Sequence, residues 1–231
     1  MAGNEKYYEL LDIPKFARPN ILSLNALATA PNLTERRNGG GFMSYGQVWP
    51  RLDVMFKGLA TDEYIQTQFS AYKDEWKNQA IRDAFRLLRQ HFGGKGSWYR
   101  IVNIRKYVLG CWFKTSIKGF WGFDGKIYAV LINCRKSQPL SWDDVRFLAR
   151  GVYELHCIDD PNNPTPLIID LGWHPTDEKR EARVYEVTAD EAISIESFEY
   201  SMREFLIASN LAGISHPPPP DVPHILDLFR R

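Results

Sequence analysis

The longest periodic pattern of apolar positions in the chain lies between residues 61 and 92. Apolar side chains recur there at steps of three and four residues, which is typical of the buried face of an amphipathic helix. Thr61 can cap the start of this helix, and Gly93 and Gly94 follow its end. The pattern therefore predicts a single helix over about 62–92 whose apolar face enters the core. That face holds Ile65, Phe69, Tyr72, Trp76, Ala80, Ala84, Leu87 and Leu88.

Short apolar runs after this helix predict β-strands. Asp124-Gly125 lies between the runs 120–123 and 126–133 and is a strong signal for a tight hairpin, because both residues tolerate a positive φ. Further strands are predicted at 99–104, 107–113, 167–171 and 183–187.

Two capping boxes predict the remaining helices. Ser141-Trp142-Asp143-Asp144 is a variant with Asp in place of Glu, and it opens a helix over about 142–157. Thr188-Ala189-Asp190-Glu191 is a full capping box, and its helix is expected to run to about Ala212.

The order of these elements predicts an α+β fold with a mainly antiparallel sheet covered by three main helices. Residues 1–60 are interrupted by prolines and are expected to form an irregular N-terminal extension packed on the core. The α+β core domain is then predicted at 61–214. Residues 215–231 are predicted to form a Pro-rich C-terminal docking tail.

Composition is typical of a globular protein. The chain has 231 residues, of which 44% are hydrophobic, and this is enough for a sizeable core. No apolar run reaches the ~18–20 residues that would span a bilayer, and residues 1–11 lack the features of a secretory signal. Cys111, Cys134 and Cys157 form no close pair, which favours buried thiols in a reducing compartment. A soluble, cytoplasmic protein with no membrane partner is therefore expected.

Charge is distributed unevenly, although the formal net charge is only +1. Residues 94–140 hold nine Lys/Arg and one acid, whereas residues 141–231 hold eight basic and 17 acidic residues. Aromatic residues alternate with the cations of the basic segment, a combination that attracts phosphates and can stack on bases. The first hypothesis is therefore a non-catalytic binding protein that contacts nucleic acid through a basic, aromatic sheet surface. Its predicted nucleic-acid-binding residues are Trp98, Arg100, Arg105, Lys106, Trp112, Lys114, Lys118 and Trp121.

The same segment offers an enzymatic alternative. Asp124, the strand 127–133, the ending Asn133-Cys134-Arg135-Lys136 and the Ser141 helix follow the order of a PD-(D/E)xK nuclease core, which this segment resembles. In that arrangement an acid precedes a hairpin whose second strand ends in Glu-x-Lys and feeds a helix and then a strand. Because Asn133 takes the place of the Glu and Arg135 that of the Lys, the resemblance implies a degenerate site that lacks a carboxylate for a divalent ion.

A second enzymatic candidate combines Asp170, which ends one predicted strand, with Glu186 in the next. If these strands pair antiparallel, the two carboxylates approach each other near His174, and this arrangement suits acid–base chemistry or metal binding. The sequence contains no zinc-type spacing, P-loop, GxSxG, HExxH or GxGxxG motif. Neither a resident metal nor a cofactor is therefore predicted.

The C-terminal tail supports a third class, an interaction or assembly subunit. Four prolines at 217–220 favour polyproline II, and the apolar cluster after them is too short to fold alone. The basic face and the tail would then contact an acidic protein partner or a second copy of the chain. The predicted partner-binding residues are Pro217, Pro218, Ile225, Leu226, Leu228 and Phe229. Binding ranks first, assembly second and catalysis third.

Overall fold

The computed structural model describes residues 8–17, 20–38, 45–101, 105–108, 111–114 and 117–214. The described α-helices are α1 (Ile13–Phe16), α2 (Ala26–Asn38), α3 (Leu52–Phe56), α4 (Asp62–Gln68), α5 (Glu75–Phe92), α6 (Trp142–His156) and α7 (Ile195–Leu211). The described strands are β1 (Tyr8–Glu9), β2 (Ser97–Arg100), β3 (Arg105–Val108), β4 (Cys111–Lys114), β5 (Ile117–Phe123), β6 (Lys126–Asn133), β7 (Thr165–Asp170) and β8 (Arg183–Glu186). The predicted α+β class is confirmed.

The chain divides into two compact units. The first contains residues 1–39, 103–115 and 194–231, and the second contains residues 40–102 and 116–193. The boundaries of these units differ from the predicted boundaries at residues 60 and 214. The predicted division into extension, core domain and tail stays a prediction.

The second unit is built on a five-stranded sheet in the order β2-β5-β6-β7-β8. The predicted hairpin joins β5 to β6, with φ of 50° at Asp124 and 73° at Gly125. β6 and β7 are parallel, and the other neighbours in this sheet are antiparallel. A parallel pair needs a crossover connection, and α6 supplies it. The Ser141 capping box that starts α6 forms in full.

The first unit contains the small sheet β1-β4-β3 and the helix pair α2 and α7. The Ser201 hydroxyl of α7 donates to the backbone oxygen of Ile21 at 2.9 Å, and the backbone N–H of Ala26 donates to the Glu204 carboxylate at 2.8 Å. These bonds hold the segment before α2 against α7.

The prediction of one continuous helix over 62–92 is wrong, because residues 69–74 are not helical and separate α4 from α5. The buried Asn78 of α5 holds this break. Its side-chain amide donates to the backbone oxygen of Tyr72 at 2.9 Å, and its Oδ1 accepts from the Tyr72 backbone N–H at 3.0 Å. Trp76, which was predicted to enter the core, is 64% exposed. The buried apolar face of α5 consists of Ile81, Ala84, Phe85, Leu88 and Phe92.

The Thr188 capping box does not start a helix. Glu191 still accepts hydrogen bonds from the Thr188 backbone N–H and hydroxyl, both at 2.9 Å, but these bonds close an isolated turn. Helix α7 begins later, after Ser194, whose hydroxyl accepts from the Ser197 backbone N–H at 3.2 Å.

Cys134 and Cys157 are buried free thiols, as predicted for these two positions. Burial raises the pKa of the Cys134 thiol to about 12. Among the described helices, none is long and apolar enough to cross a membrane. The cytoplasmic location stays a prediction.

Candidate functional site

The carboxyl ends of the parallel strands β6 and β7 meet at one edge of the five-stranded sheet. Their last residues, Asn133 and Asp170, are register partners. The backbone N–H of Leu171 donates to Asn133, and that of Trp173 donates to Lys136, both at 2.8 Å, so the loops after the two strands are joined. In open sheets with parallel strands, ligands bind outside the carboxyl ends of the strands, so this edge is the candidate site.

Asp170 anchors this edge from inside the protein. Its carboxylate is fully buried and has four partners at 2.8–2.9 Å. They are the Asn133 side-chain amide, the backbone N–H groups of Leu140 and Gly172, and Nε2 of His174. A carboxylate has about four acceptor positions, so these partners saturate it. Asp170 therefore fixes the two loops in place.

Arg180 and Gly172 tie the same loops together. Nε of Arg180 donates to the backbone oxygen of Leu171 at 2.6 Å, and its Nη2 donates to that of Cys134 at 2.9 Å. The guanidinium also lies beside the Tyr45 phenol, whose pKa is raised by burial against the opposing effect of this cation. Gly172 lies so close to Pro139 that a Cβ at position 172 would overlap the Pro139 backbone.

A groove of about 1010 Å³ lies between α5 and these loops. One wall is the face of α5 opposite its core face, with Trp76, Ala80, Asp83 and Leu87 spaced three or four residues apart. The loop 135–138 contributes to the other wall. The volume is at the top of the range of about 300–1,000 Å³ for small-molecule pockets, which favours an extended ligand.

The groove combines cations with aromatic rings. Its lining includes the cations Arg86, Arg135, Lys136 and Arg180 and the aromatic residues Tyr45, Trp76 and Trp173. Of the described residues that line it, Asp83 is the one carboxylate, and Arg86 pairs with it at 3.3 Å. Four cations against one carboxylate leave a surplus of positive charge, and a cleft focuses such a field.

The described residues do not fit the divalent metal that a PD-(D/E)xK core would need. Asp170 is saturated, and Oδ1 of Asn133 accepts from the Arg135 backbone N–H at 3.2 Å. Within the described ranges, no group of three or more His, Cys, Asp or Glu side chains could hold a metal ion. Asp124 lies at the other end of the eight-residue strand β6, roughly 23 Å from Asn133. The hairpin turn accounts for Asp124, whose φ is 50°.

The predicted sheet surface is divided between two sheets. Trp98, Arg100, Lys118 and Trp121 lie on β2 and β5 of the five-stranded sheet. Arg105, Lys106, Trp112 and Lys114 lie on β3 and β4 of the small sheet, in the other compact unit. The structure therefore does not bring these eight residues onto one sheet.

Of the two tryptophans on the five-stranded sheet, Trp121 is buried and Trp98 is half-buried against the core. Trp121 is 7% exposed, and its indole N–H donates to the backbone oxygen of Lys95 at 2.9 Å. Trp98 stacks on Phe56, with ring centroids 4.7 Å apart. These contacts correct the prediction that Trp98 and Trp121 stack on bases, because their rings are already occupied. Lys118 places its ammonium 4.8 Å from the ring centroid of Trp49, and Arg100 is exposed.

The predicted pair of Asp170 and Glu186 does not form. In the antiparallel ladder Asp170 pairs with Arg183, whereas Glu186 pairs with Leu167, three residues away or roughly 10 Å. Glu186 binds the Lys126 ammonium at 2.9 Å and accepts from the Tyr128 hydroxyl at 3.3 Å. Of the three catalytic candidates, only Asp170 and His174 come together. The predicted tail residues Pro217, Pro218, Ile225, Leu226, Leu228 and Phe229 lie outside the described residues.

No family model and no curated protein matches the sequence. A crystal structure described as a putative exonuclease from Eubacterium rectale is similar in structure, with a TM-score of 0.49 and 13% sequence identity. The match covers 93% of this chain and 85% of that one.

The first hypothesis, a non-catalytic protein that binds nucleic acid through a basic, aromatic sheet surface, is wrong. The structure divides that surface between two sheets, buries Trp121 and packs the half-buried Trp98 against Phe56.

Sequence reasoning missed most of the residues that line the groove. Arg135 was considered only as the replacement of a catalytic Lys, and Trp76 was assigned to the core. Tyr45 and Arg180 come from segments without periodicity, where no local signal marks them. Asn78 lies on the predicted polar side of the helix over 62–92, so the pattern of apolar positions does not indicate that this residue is buried or that the helix is interrupted before it.

Proposed function

We propose that this protein acts on nucleic acid and that a strand binds in the groove between α5 and the loops after β6 and β7. One observation carries the proposal: four cations and three aromatic residues converge on this groove with a single carboxylate among its described lining residues. The cations suit the phosphates of a strand, and the exposed rings suit its bases.

The class of protein that we propose is a nuclease-type enzyme. Its support is the order of elements in the second unit, in which α5 and the antiparallel strands β2, β5 and β6 are followed by α6 and the parallel strand β7. The hairpin, helix and strand of the PD-(D/E)xK resemblance occur in this order, and the groove lies at the carboxyl ends of β6 and β7. The cations and rings of the groove support binding of a nucleic-acid strand.

Fluorescence anisotropy with labelled DNA and RNA over a range of salt concentrations tests the binding. Arg135→Ala/Lys136→Ala removes two cations from the groove. Lys57→Ala/Lys95→Ala removes two exposed cations outside it and is the charge-matched control. We expect the groove variant to weaken binding about tenfold and to reduce the slope of log Kd against log salt by roughly 1–2, because two phosphate contacts are lost. Equal losses in both variants, or no binding by the wild type at low salt, would contradict the proposal.

Denaturing gels of the same mixtures, with and without added divalent metal, test the enzyme class. Shortened products that the wild type forms and that Arg135→Ala/Lys136→Ala does not form would support a nuclease. Binding without products under these conditions would overturn the enzyme class while the strand-binding groove stands.

A further inference from the structure

The geometry points to a specific substrate class: we infer that the groove prefers single-stranded over double-stranded nucleic acid, because Trp76 and Trp173 stack on unpaired bases. This inference rests on the proposed function and adds to it the form of nucleic acid that the groove selects. It depends on how these two tryptophans differ from the others of the second unit.

Trp76 presents its ring from the first turn of α5. It is 64% exposed, and the small side chain of Ala80 follows one turn later on the groove wall. The Lys77 ammonium lies 5.4 Å from the ring centroid of Trp76, and Lys77 also pairs with Asp74. A cation beside a stacking ring lies where the phosphate of a stacked nucleotide comes close.

Trp173 is held in a fixed orientation on the other side of the groove. Its backbone N–H donates to Lys136 at 2.8 Å, and its indole N–H donates to the backbone oxygen of Asp177 at 3.2 Å. The Lys136 ammonium lies 5.0 Å from the centroid of the same ring. The residue is 42% exposed, so the ring is anchored at its edge, has Lys136 over one face and leaves part of its surface accessible. An anchored ring loses little side-chain freedom when a base stacks on it.

Unpaired bases are the ligand that such rings select. In a duplex each base already stacks on its neighbours, and its faces are not accessible to a protein side chain. In a single strand every base has a free face, and aromatic stacking is tolerant of sequence. Cations alone would bind both forms through their phosphates, so the tryptophans are the part of the groove that discriminates between them.

The test compares the affinities for a labelled single strand and for the corresponding duplex. We expect the wild type to bind the single strand more tightly. Trp76→Ala and Trp173→Ala should each weaken single-strand binding at least about fivefold, the effect of losing one stacked base, and should leave duplex binding nearly unchanged. Trp173→Phe should retain part of the affinity, because a ring remains.

Trp142→Ala is the matched control. Trp142 is 52% exposed at the start of α6 and does not line the groove, so its loss should not change either affinity. Thermal melting of each variant establishes that it is folded. If no form of nucleic acid binds, the proposed function itself fails. If both forms bind equally and the tryptophan variants match the wild type, the proposed function stands and the single-strand inference is overturned.

Discussion

The groove and the β2–β5 side of the sheet contain the same types of residue and use them in opposite ways. In both regions a lysine lies over a tryptophan, at 4.8 Å for Lys118 and Trp49 and at 5.0 Å for Lys136 and Trp173. On the β2–β5 side, however, Trp121 is 7% exposed and stacks between other rings, whereas Trp173 is 42% exposed and its indole N–H bonds to the Asp177 backbone.

This difference shows that the pairing of cations with aromatic residues along a sequence does not identify a binding surface. What decides the role of each ring is its position relative to the core. The basic segment 94–140 supplies two sheet strands whose tryptophans pack under α3 and α5, as well as Arg135 and Lys136 of the groove. The groove needs α5 and the loop after β7 to complete it.

The largest expected difference between the two regions is in the free energy of unfolding after a tryptophan is removed. Trp121→Ala should lower the free energy of unfolding by about 3–5 kcal/mol, because it removes a large buried ring and leaves a cavity. Trp173→Ala should cost less than about 1 kcal/mol, since its ring is partly solvated. Chemical denaturation measures both values. Similar losses for the two variants would break the comparison between a buried and an exposed ring.

An intermediate effect is expected for the carboxylate beneath the groove. Asp170→Asn keeps the shape of the side chain but places an N–H₂ group against donors, so one or more buried hydrogen bonds are lost. We expect the free energy of unfolding to fall by about 1–3 kcal/mol. Glu178→Gln, an exposed carboxylate in the following loop, is the control and should be near neutral. A fully stable Asp170→Asn variant would show that this carboxylate does not anchor the loops.

The smallest expected effects are those of removing the lysine that lies over a tryptophan in each region. They separate a loss of stability from a loss of nucleic-acid binding. Lys118→Ala and Lys136→Ala each remove a lysine that lies over a tryptophan, and each should change stability by less than about 1 kcal/mol. Only Lys136→Ala should weaken nucleic-acid binding, by several-fold, because only this lysine lines the groove. Denaturation and anisotropy on the same preparations measure the two quantities. Weaker binding by Lys118→Ala to the same extent would place the ligand on the β2–β5 side.

The features of the fold that the sequence predicts correctly depend on interactions between residues close together in the chain. Asp124-Gly125 formed its hairpin because few other conformations suit two consecutive residues with positive φ. The Ser141 capping box started α6 because an apolar face followed it, and that face is buried. The Thr188 box formed the same kind of hydrogen bonds without a helix, so a cap marks a place where a helix can start without requiring one.

The candidate site could be predicted only in part, because its residues meet through tertiary structure. The sequence predicts Asp170, Glu186 and His174 together; Asp170 and His174 lie 2.9 Å apart, whereas Glu186 pairs elsewhere. Trp76 is exposed because the helix is interrupted before α5. The Asn78 side chain, inside α5, stabilises this interruption through its hydrogen bonds to the Tyr72 backbone. Tyr45 and Arg180 are far apart in sequence, and only the folded loops place them side by side.

The close approach of Gly172 to Pro139 has a consequence for how the groove can adapt. The two loops touch through their backbones at this point, and Asp170 and Arg180 bond to both of them. This side of the groove is thus preorganised, and little conformational entropy is lost when a ligand contacts it. Adaptation to ligands of different size then falls to side-chain rotations on the α5 wall, which makes positions 76, 80 and 83 the natural places to retune selectivity without loosening the sheet edge.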